Sequence, residues 1–275
     1  MAVEDFGGKV LGKPITGISA DHQIKPDIAA GIARQWYDVD KVDLIVDVPV
    51  SAVGLAVQVA NDRKKLFITH STGTADFHGK FCYTMRWVFD THALAVGTAQ
   101  EVVKRGGDTW FFLTADYAFG HSLERDATQI IVQNGGKVLG SVAHPFSTPD
   151  LSSFILQAQS SKAKIIGRAS GPPDNVNAIK LGGEFGIFQR GQQMAGLLVL
   201  ITDVNARGLK AAQGLLLTTS FYWDTDDKTR EWSKRFFAKI NRMPTIVASR
   251  RLFVGDALSQ GDPSSRHRRA AQGNG

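Results

Sequence analysis

A two-lobe α/β fold, each lobe a parallel sheet with helices on both faces, is predicted by three features of the sequence. Short apolar runs of strand length, rich in β-branched and aromatic residues, alternate with helical stretches. The alternation forms two successive series, one before about residue 90 and one after it, alike in pattern but without a repeated sequence. The chain has 275 residues, 43% of them hydrophobic. That length suffices for two cores at roughly 100–150 residues each.

The elements follow in order. Residues 2–6 read as the last turn of a helix, closed by Gly7 and Gly8. Residues 14–20 read as a strand. Pro26 opens a helix whose apolar face carries Ile28, Ala29, Ile32, Ala33 and Trp36 at 3/4 spacing. A strand at 42–46, a helix at 51–60, a strand at 66–68, a turn-rich loop at 69–79 and a strand at 83–89 complete the first series. The second series has helices at 91–104, 121–134, 150–160, 173–185 and 204–210. Its strands fall at 109–113, 137–142, 163–167, 196–201 and 214–218. Residues 227–240 form an amphipathic helix. After Val247 the periodicity ceases, and the Arg-, Ser- and Gly-rich end reads as disordered.

Charge and motifs exclude several functions. Net charge is +6, of which +3 lies from Ala248 onward, where Arg250, Arg251, Arg266, Arg268 and Arg269 stand against Asp256 and Asp262. The body has no basic cluster of the kind that tracks phosphates, so no nucleic-acid partner is expected. Cys82 is the single cysteine, which rules out an intrachain disulfide. No apolar run approaches the roughly 20 residues of a membrane span. The start, MAVEDFGGKVLGKP, lacks the regions of a secretion signal, so the chain as given is expected to stay in the cytoplasm. Gly-rich dinucleotide and phosphate loops, H-E-x-x-H and C-x-x-C are all missing from the sequence. Gly167 to Gly171 places Ser170 one position off a nucleophile elbow. No catalytic residue, metal or cofactor is expected.

Candidate site residues cluster where strands end. The loop after 109–113 carries Tyr117 and Phe119, which either cover an apolar or ammonium-bearing ligand or serve as core aromatics. Ser51 sits at a helix start, and the run after 66–68 carries Thr72 and Thr74. Their hydroxyls and nearby N–H groups can hold a carboxylate; the competing reading makes Ser51 and Thr74 helix N-caps. Asp203 follows a strand and either pairs with an ammonium group or caps the next helix.

Three stretches carry a resemblance: 20–23 with 36–38, 43–49 (DLIVDVP) and 107–120 (GDTWFFLTADYAFG). Over about residues 1–247 the chain resembles the branched-chain amino acid (Leu/Ile/Val) type of substrate-binding protein of ABC transporters. The resemblance implies a type I periplasmic binding protein fold, a Venus flytrap with lobe 1 at 1–90, lobe 2 at 91–220 and a return to lobe 1 at 221–247. It implies a periplasmic monomer that captures a small-molecule ligand by lobe closure and delivers it to permease subunits, with no membrane insertion of its own. By the same resemblance Ser51, Thr72 and Thr74 hold the ligand carboxylate, Phe119 with neighbouring Tyr117 covers the ligand, and Asp203 pairs with its ammonium. Gly171 falls where leucine-binding members carry an aromatic, so a different side-chain specificity is expected. Arg168 stands where the pattern has an apolar residue.

Two departures generate further expectations. The family's chains begin with a signal peptide, a first strand and most of a first helix, whereas this chain begins inside that helix. Lobe 1 is therefore expected to be incomplete, with weak ligand binding and low stability. After Thr245 the family continues as an amphipathic helix. A one-base frame shift in DNA encoding such a helix reproduces Ala248 to Gly261, so 248–275 is expected to be a non-native basic tail. A ligand-sensing receptor or regulator domain of the same fold is the alternative reading. A small α/β enzyme is a third, for which no nucleophile–base pair can be named.

Overall fold

Strand pairing converts the apolar runs into two separate sheets. The structure, a computed structural model, describes residues 1–250 apart from Val88, Pro173, 208–211 and Gly214. Helix α1 (Ala2–Phe6) ends at Gly7, whose φ of 99° suits a residue without a Cβ. β1 (Lys9–Val10) and β2 (Lys13–Pro14) form an antiparallel hairpin. Helix α2 (Pro26–Asp38) starts with a proline, whose missing N–H would have no partner in the first turn, and buries Ala29, Ala33 and Tyr37. There follow β3 (Leu44–Val46), α3 (Ser51–Ala56), α4 (Val59–Asp62), β4 (Leu66–Thr69) and β5 (Thr84–Arg86). The order β3-β4-β5 is parallel throughout. Ile45 and Phe67 pack with Val53, Ala60 and Tyr37 as the lobe 1 core.

The second series begins with α5 (Thr91–Ala95), which continues through a π-helical turn at Val96–Gln100 into α6 (Glu101–Lys104). Then come β6 (Thr109–Ala115), α7 (Ala118–Gln133), β7 (Lys137–His144), α8 (Ser152–Ser160), β8 (Ile165–Ala169), α9 (Asp174–Glu184), β9 (Gln193–Gly196), α10 (Ile201–Arg207) and β10 (Leu216–Leu217). The sheet is parallel in the order β10-β9-β8-β6-β7. β6 separates two cores. Trp110 and Phe112 pack with Leu123 and Ile131 of α7 on one face, and Leu113 packs with Ile155, Ala178 and Met194 on the other. The chain steps from β6 to β7 on one side and then crosses to β8 on the other. Open α/β sheets bind ligands at the carboxyl ends of strands beside such a reversal.

The chain then returns. α11 (Asp227–Ile240) opens with a capping box in which Asp226 and Thr229 each serve the other's backbone N–H. Arg235 and Lys239 of α11 pair with Asp5 and Glu4 of α1, both at 2.5 Å. α12 (Ile246–Arg250) crosses the expected boundary at 247. The rest of the expected tail lies outside the described residues.

Several elements differ from the sequence reading. Residues 15–20 form no strand, and β2 stops at Pro14. A strand needs a neighbour, and β3, the nearest edge in the sheet order, pairs only with β4 among the described residues. The helix expected at 51–60 breaks into α3 and α4 around Gln58, whose Oε1 accepts from the Thr84 hydroxyl. The strand expected at 196–201 lies at Gln193–Gly196 instead. Leu197 and Val199 are buried, but in a turn in which Val199 folds back to within 2.4 Å of where a Gly196 Cβ would stand.

Gly120 shows how tightly α7 seats on the sheet. A Cβ there would lie 2.1 Å from the Ala115 carbonyl oxygen and 3.0 Å from that of Ala169, both backbone atoms. Gly120→Ala is expected to cost about 3 kcal/mol in urea unfolding, at the upper end for overpacking. Gly31, inside α2, has nothing within 4 Å of its Cβ position. Gly31→Ala is expected to add about 0.5–1 kcal/mol by the same measurement.

Candidate ligand-binding cleft

The carboxyl ends of β4 and β6 meet across the two lobes. Gly73, between Thr72 and Thr74, lies so close to Phe119 that a Cβ would stand 2.5 Å from the ring. Thr74 Oγ1 is 2.9 Å from Ser122 Oγ of α7, and Ser122 Oγ is 3.2 Å from Thr91 Oγ1. Thr91 in turn donates to Asp126 Oδ2 at 2.5 Å. Arg125 Nη2 donates to Ser122 Oγ and to Asp76 Oδ1. This seam of short hydroxyl side chains ties the β4 loop to the first two turns of α7.

Ser51 and Thr74 sit on that seam, with Thr72 beside it. Ser51 is the first residue of α3, buried, and its Oγ accepts from Thr74 N at 3.1 Å. It is not the N-cap, a position held by Val50. Thr72 donates to the Val48 carbonyl at 2.6 Å. Thr74 caps the short 3-10 turn Ala75–Phe77 by accepting from Asp76 N, as the capping reading had it. The three are brought together, and each already has partners within the protein.

On lobe 2, Tyr117 is the N-cap of α7 and half-buried, its ring 4.6 Å from Phe146 and 5.9 Å from Phe119. Phe119 is buried in the core shared with Trp110 and Leu123 and covers Gly73. Gly171 follows β8, and a Cβ there would stand 3.6 Å from both the Tyr117 hydroxyl and Leu198. Asp203 is the third residue of α10. Its Oδ2 accepts from Leu200 N at 3.0 Å, the reach-back half of a capping box, and from Asn175 Nδ2 at 3.4 Å. Burial pushes its carboxyl pKa up.

Arg168 is the centre of a polar network. It is fully buried on the α8–α9 side of β8. Nη1 donates to the Asn175 carbonyl at 2.8 Å and Nη2 to Ser170 Oγ at 2.7 Å. Burial pulls its pKa down to about 10, against the opposing fields of Asp174 and Asp203. Asp174 accepts from Ser147 N, and Asn175 donates to the Leu198 carbonyl. The loops after β7, β8 and β9 are thereby pinned to one another. Sequence reading singled out Arg168 without a role and missed Ser122, His144, Asp174 and Asn175. The Asp174 position at a helix start was a usable signal; Asn175 and Ser122 carry none. A cavity among the described residues lies elsewhere. It measures about 390 Å³ and sits beside the lobe crossings, lined by Arg86, Trp87, Phe89, Leu94, Thr218 and Ile246.

His144, at the end of β7, is also buried, and burial pulls its pKa below the usual histidine value. The folded protein therefore takes up this proton less readily than the unfolded chain, whose histidine titrates near about 6.5. Stability should be lost as pH falls from about 7.5 to about 5, and the slope should be shallower in His144→Gln. Thermal melts across that range check this.

Comparison with known proteins fits this geometry. The sequence profile of the periplasmic binding protein family matches residues 1–261, and the chain belongs to that family. A periplasmic binding protein from Burkholderia mallei is 47% identical, over 96% of this chain and 72% of that one, with a TM-score of 0.90. A branched chain amino acid ABC transporter periplasmic ligand-binding protein from Burkholderia xenovorans is 37% identical, over 94% of this chain and 69% of that one, with a TM-score of 0.79. An ABC transporter solute binding protein from Rhodopseudomonas palustris, in complex with 3,4-dihydroxybenzoic acid, shares the fold at 21% identity and a TM-score of 0.85, over 96% of this chain and 76% of that one. No curated protein sequence matches the chain. The resemblance read from the sequence and the type I periplasmic binding protein fold are thus both borne out. No described helix is long and apolar enough to cross a membrane.

Proposed function

We propose that the chain is the substrate-binding component of an ABC transporter. It captures a branched-chain-type amino acid, or a related small carboxylate or amide, between its lobes and delivers it to a permease, without covalent chemistry. The observation that carries this reading is the meeting of the β4 and β6 loops at Gly73 and Phe119, with the β8 loop beside them through Tyr117 and Gly171. Carboxyl ends of parallel strands from both lobes converge there, where open sheets take ligands. The 37% identity to a branched chain amino acid ligand-binding protein supports the ligand class. A ligand carboxylate would exchange into the hydrogen bonds now made by Ser51 and Thr74, and Asp203 would receive an ammonium.

Thermal-shift and calorimetric titration carried to millimolar concentration tests the reading. The panel should hold aliphatic amino acids, their deaminated acids, small amides and aromatic carboxylates. At least one member of the aliphatic groups is expected to raise the melting temperature. Asp203→Ala should remove the response to leucine-like amino acids more than tenfold while sparing the deaminated acids. Binding of aromatic carboxylates alone, or of nothing, would overturn the ligand class.

A further inference from the structure

Three buried side-chain atoms at the carboxyl edge of the lobe 2 sheet have no hydrogen-bond partner among the described residues: His144 Nε2, Arg168 Nε and Asp174 Oδ1. The residues that carry them are each 0% exposed. They come from the end of β7, the end of β8 and the first turn of α9. The three lie within one another's electrostatic reach. Asp174 raises and Arg168 lowers the proton affinity of His144, and Asp174 raises that of Arg168. An unmade hydrogen bond on a buried polar group costs about 1–3 kcal/mol, more when the group is charged. Three together call for a physical reason.

The chemistry of each orphan follows from what its residue already does. His144 Nδ1 lies 3.0 Å from the Pro145 carbonyl, which only accepts, so Nδ1 carries the proton and Nε2 is a bare acceptor. Asp174 accepts from Ser147 N through Oδ2, which leaves Oδ1 as an acceptor. Arg168 donates through Nη1 and Nη2, which leaves the Nε N–H as a donor. The set is two acceptors and one donor. A primary carboxamide is its complement, with two N–H groups and one carbonyl. A carboxylate offers no N–H and meets the Asp174 charge. It can accept from Arg168 Nε but leaves both acceptors, Asp174 Oδ1 and His144 Nε2, without a donor. A hydrocarbon group of the same shape satisfies none of the three atoms.

The position suits a ligand side chain. Burial, and after it the charge of Asp174, pushes the pKa of the Tyr117 hydroxyl up, which places Asp174 near the expected lobe 2 wall. Gly171, beside the Tyr117 hydroxyl, leaves out the side chain that would otherwise fill that wall.

We propose that His144, Arg168 and Asp174 form a specificity subsite for a primary carboxamide. The ligand carbonyl accepts from Arg168 Nε, and its two N–H groups donate to Asp174 Oδ1 and His144 Nε2. This rests on the reading of the cleft given above and adds the ligand chemistry that lobe 2 selects.

Calorimetric titration of the full chain with asparagine, aspartate and leucine, which share one branched shape, tests it. Succinamate, succinate and 4-methylpentanoate, the counterparts of asparagine, aspartate and leucine without the amino group, give the same comparison. The amide is expected to bind at least tenfold more tightly than either isostere. Asp174→Asn should reduce the asparagine-to-leucine ratio at least fivefold, and Arg168→Met should bring it near one. Asp174→Asn preserves shape and keeps the test open if Arg168→Met fails to fold. Leucine bound as tightly as asparagine, or a ratio unchanged in Asp174→Asn, overturns the subsite and leaves the proposed function standing. Binding of no ligand at all overturns both.

Discussion

The approach of Gly73 to Phe119 sets the relation between the lobes. The β4 loop lies so close to the Phe119 ring that a Cβ at Gly73 would stand 2.5 Å from it. Around this contact Thr74 of one lobe meets Ser122 of the other, Ser122 reaches Thr91, and Arg125 bridges to Asp76 at the rim. Each such hydrogen bond is worth about 1 kcal/mol net, since opening exchanges it for one to water. The seam therefore fixes geometry more than it adds stability.

Lobe 2 depends in the same way on Arg168. A buried guanidinium is expensive, and replacing buried ions with apolar packing is often neutral or stabilising. Here the cation reaches the Asn175 carbonyl and Ser170, while Asp174 and Asn175 reach onward to Ser147 and Leu198. Three loops that would otherwise move independently share one network. Arg168 thus accounts for how the lobe 2 wall keeps its shape more readily than for the stability of the lobe.

The parts of the fold that sequence revealed are those set locally. The Trp110 to Leu113 run, the helix that follows it and the helix at Asp227–Ile240 announce themselves by period and capping. Non-local causes hid the rest. Residues 15–20 have strand composition, but a strand is made by its neighbour. Leu197 and Val199 are apolar because they are buried, and the turn at Gly196 uses that burial without a ladder. Ser51, Thr72 and Thr74 stood out as candidates because the ends of strands are places where ligand groups gather. The partners that occupy their hydroxyls, among them Ser122, 48 residues from Thr74, could not be read from local pattern.

The two halves of the cleft differ in what a ligand gains from them. On lobe 1 the hydroxyls of Thr72 and Thr74 and the oxygen of Ser51 are already bonded within the protein. A ligand there exchanges one bond for another, and such exchange favours any carboxylate about equally. On lobe 2, His144, Arg168 and Asp174 each hold an atom without a partner among the described residues. A ligand that satisfies those atoms removes a cost the unliganded protein carries, and one that does not leaves the cost in place. Sites built to hydrogen-bond a polar group reject analogues lacking it by far more than apolar pockets discriminate a methylene. On the proposed reading, capture in general belongs to the lobe 1 loops, and choice among ligands of similar size belongs to the edge of the lobe 2 sheet.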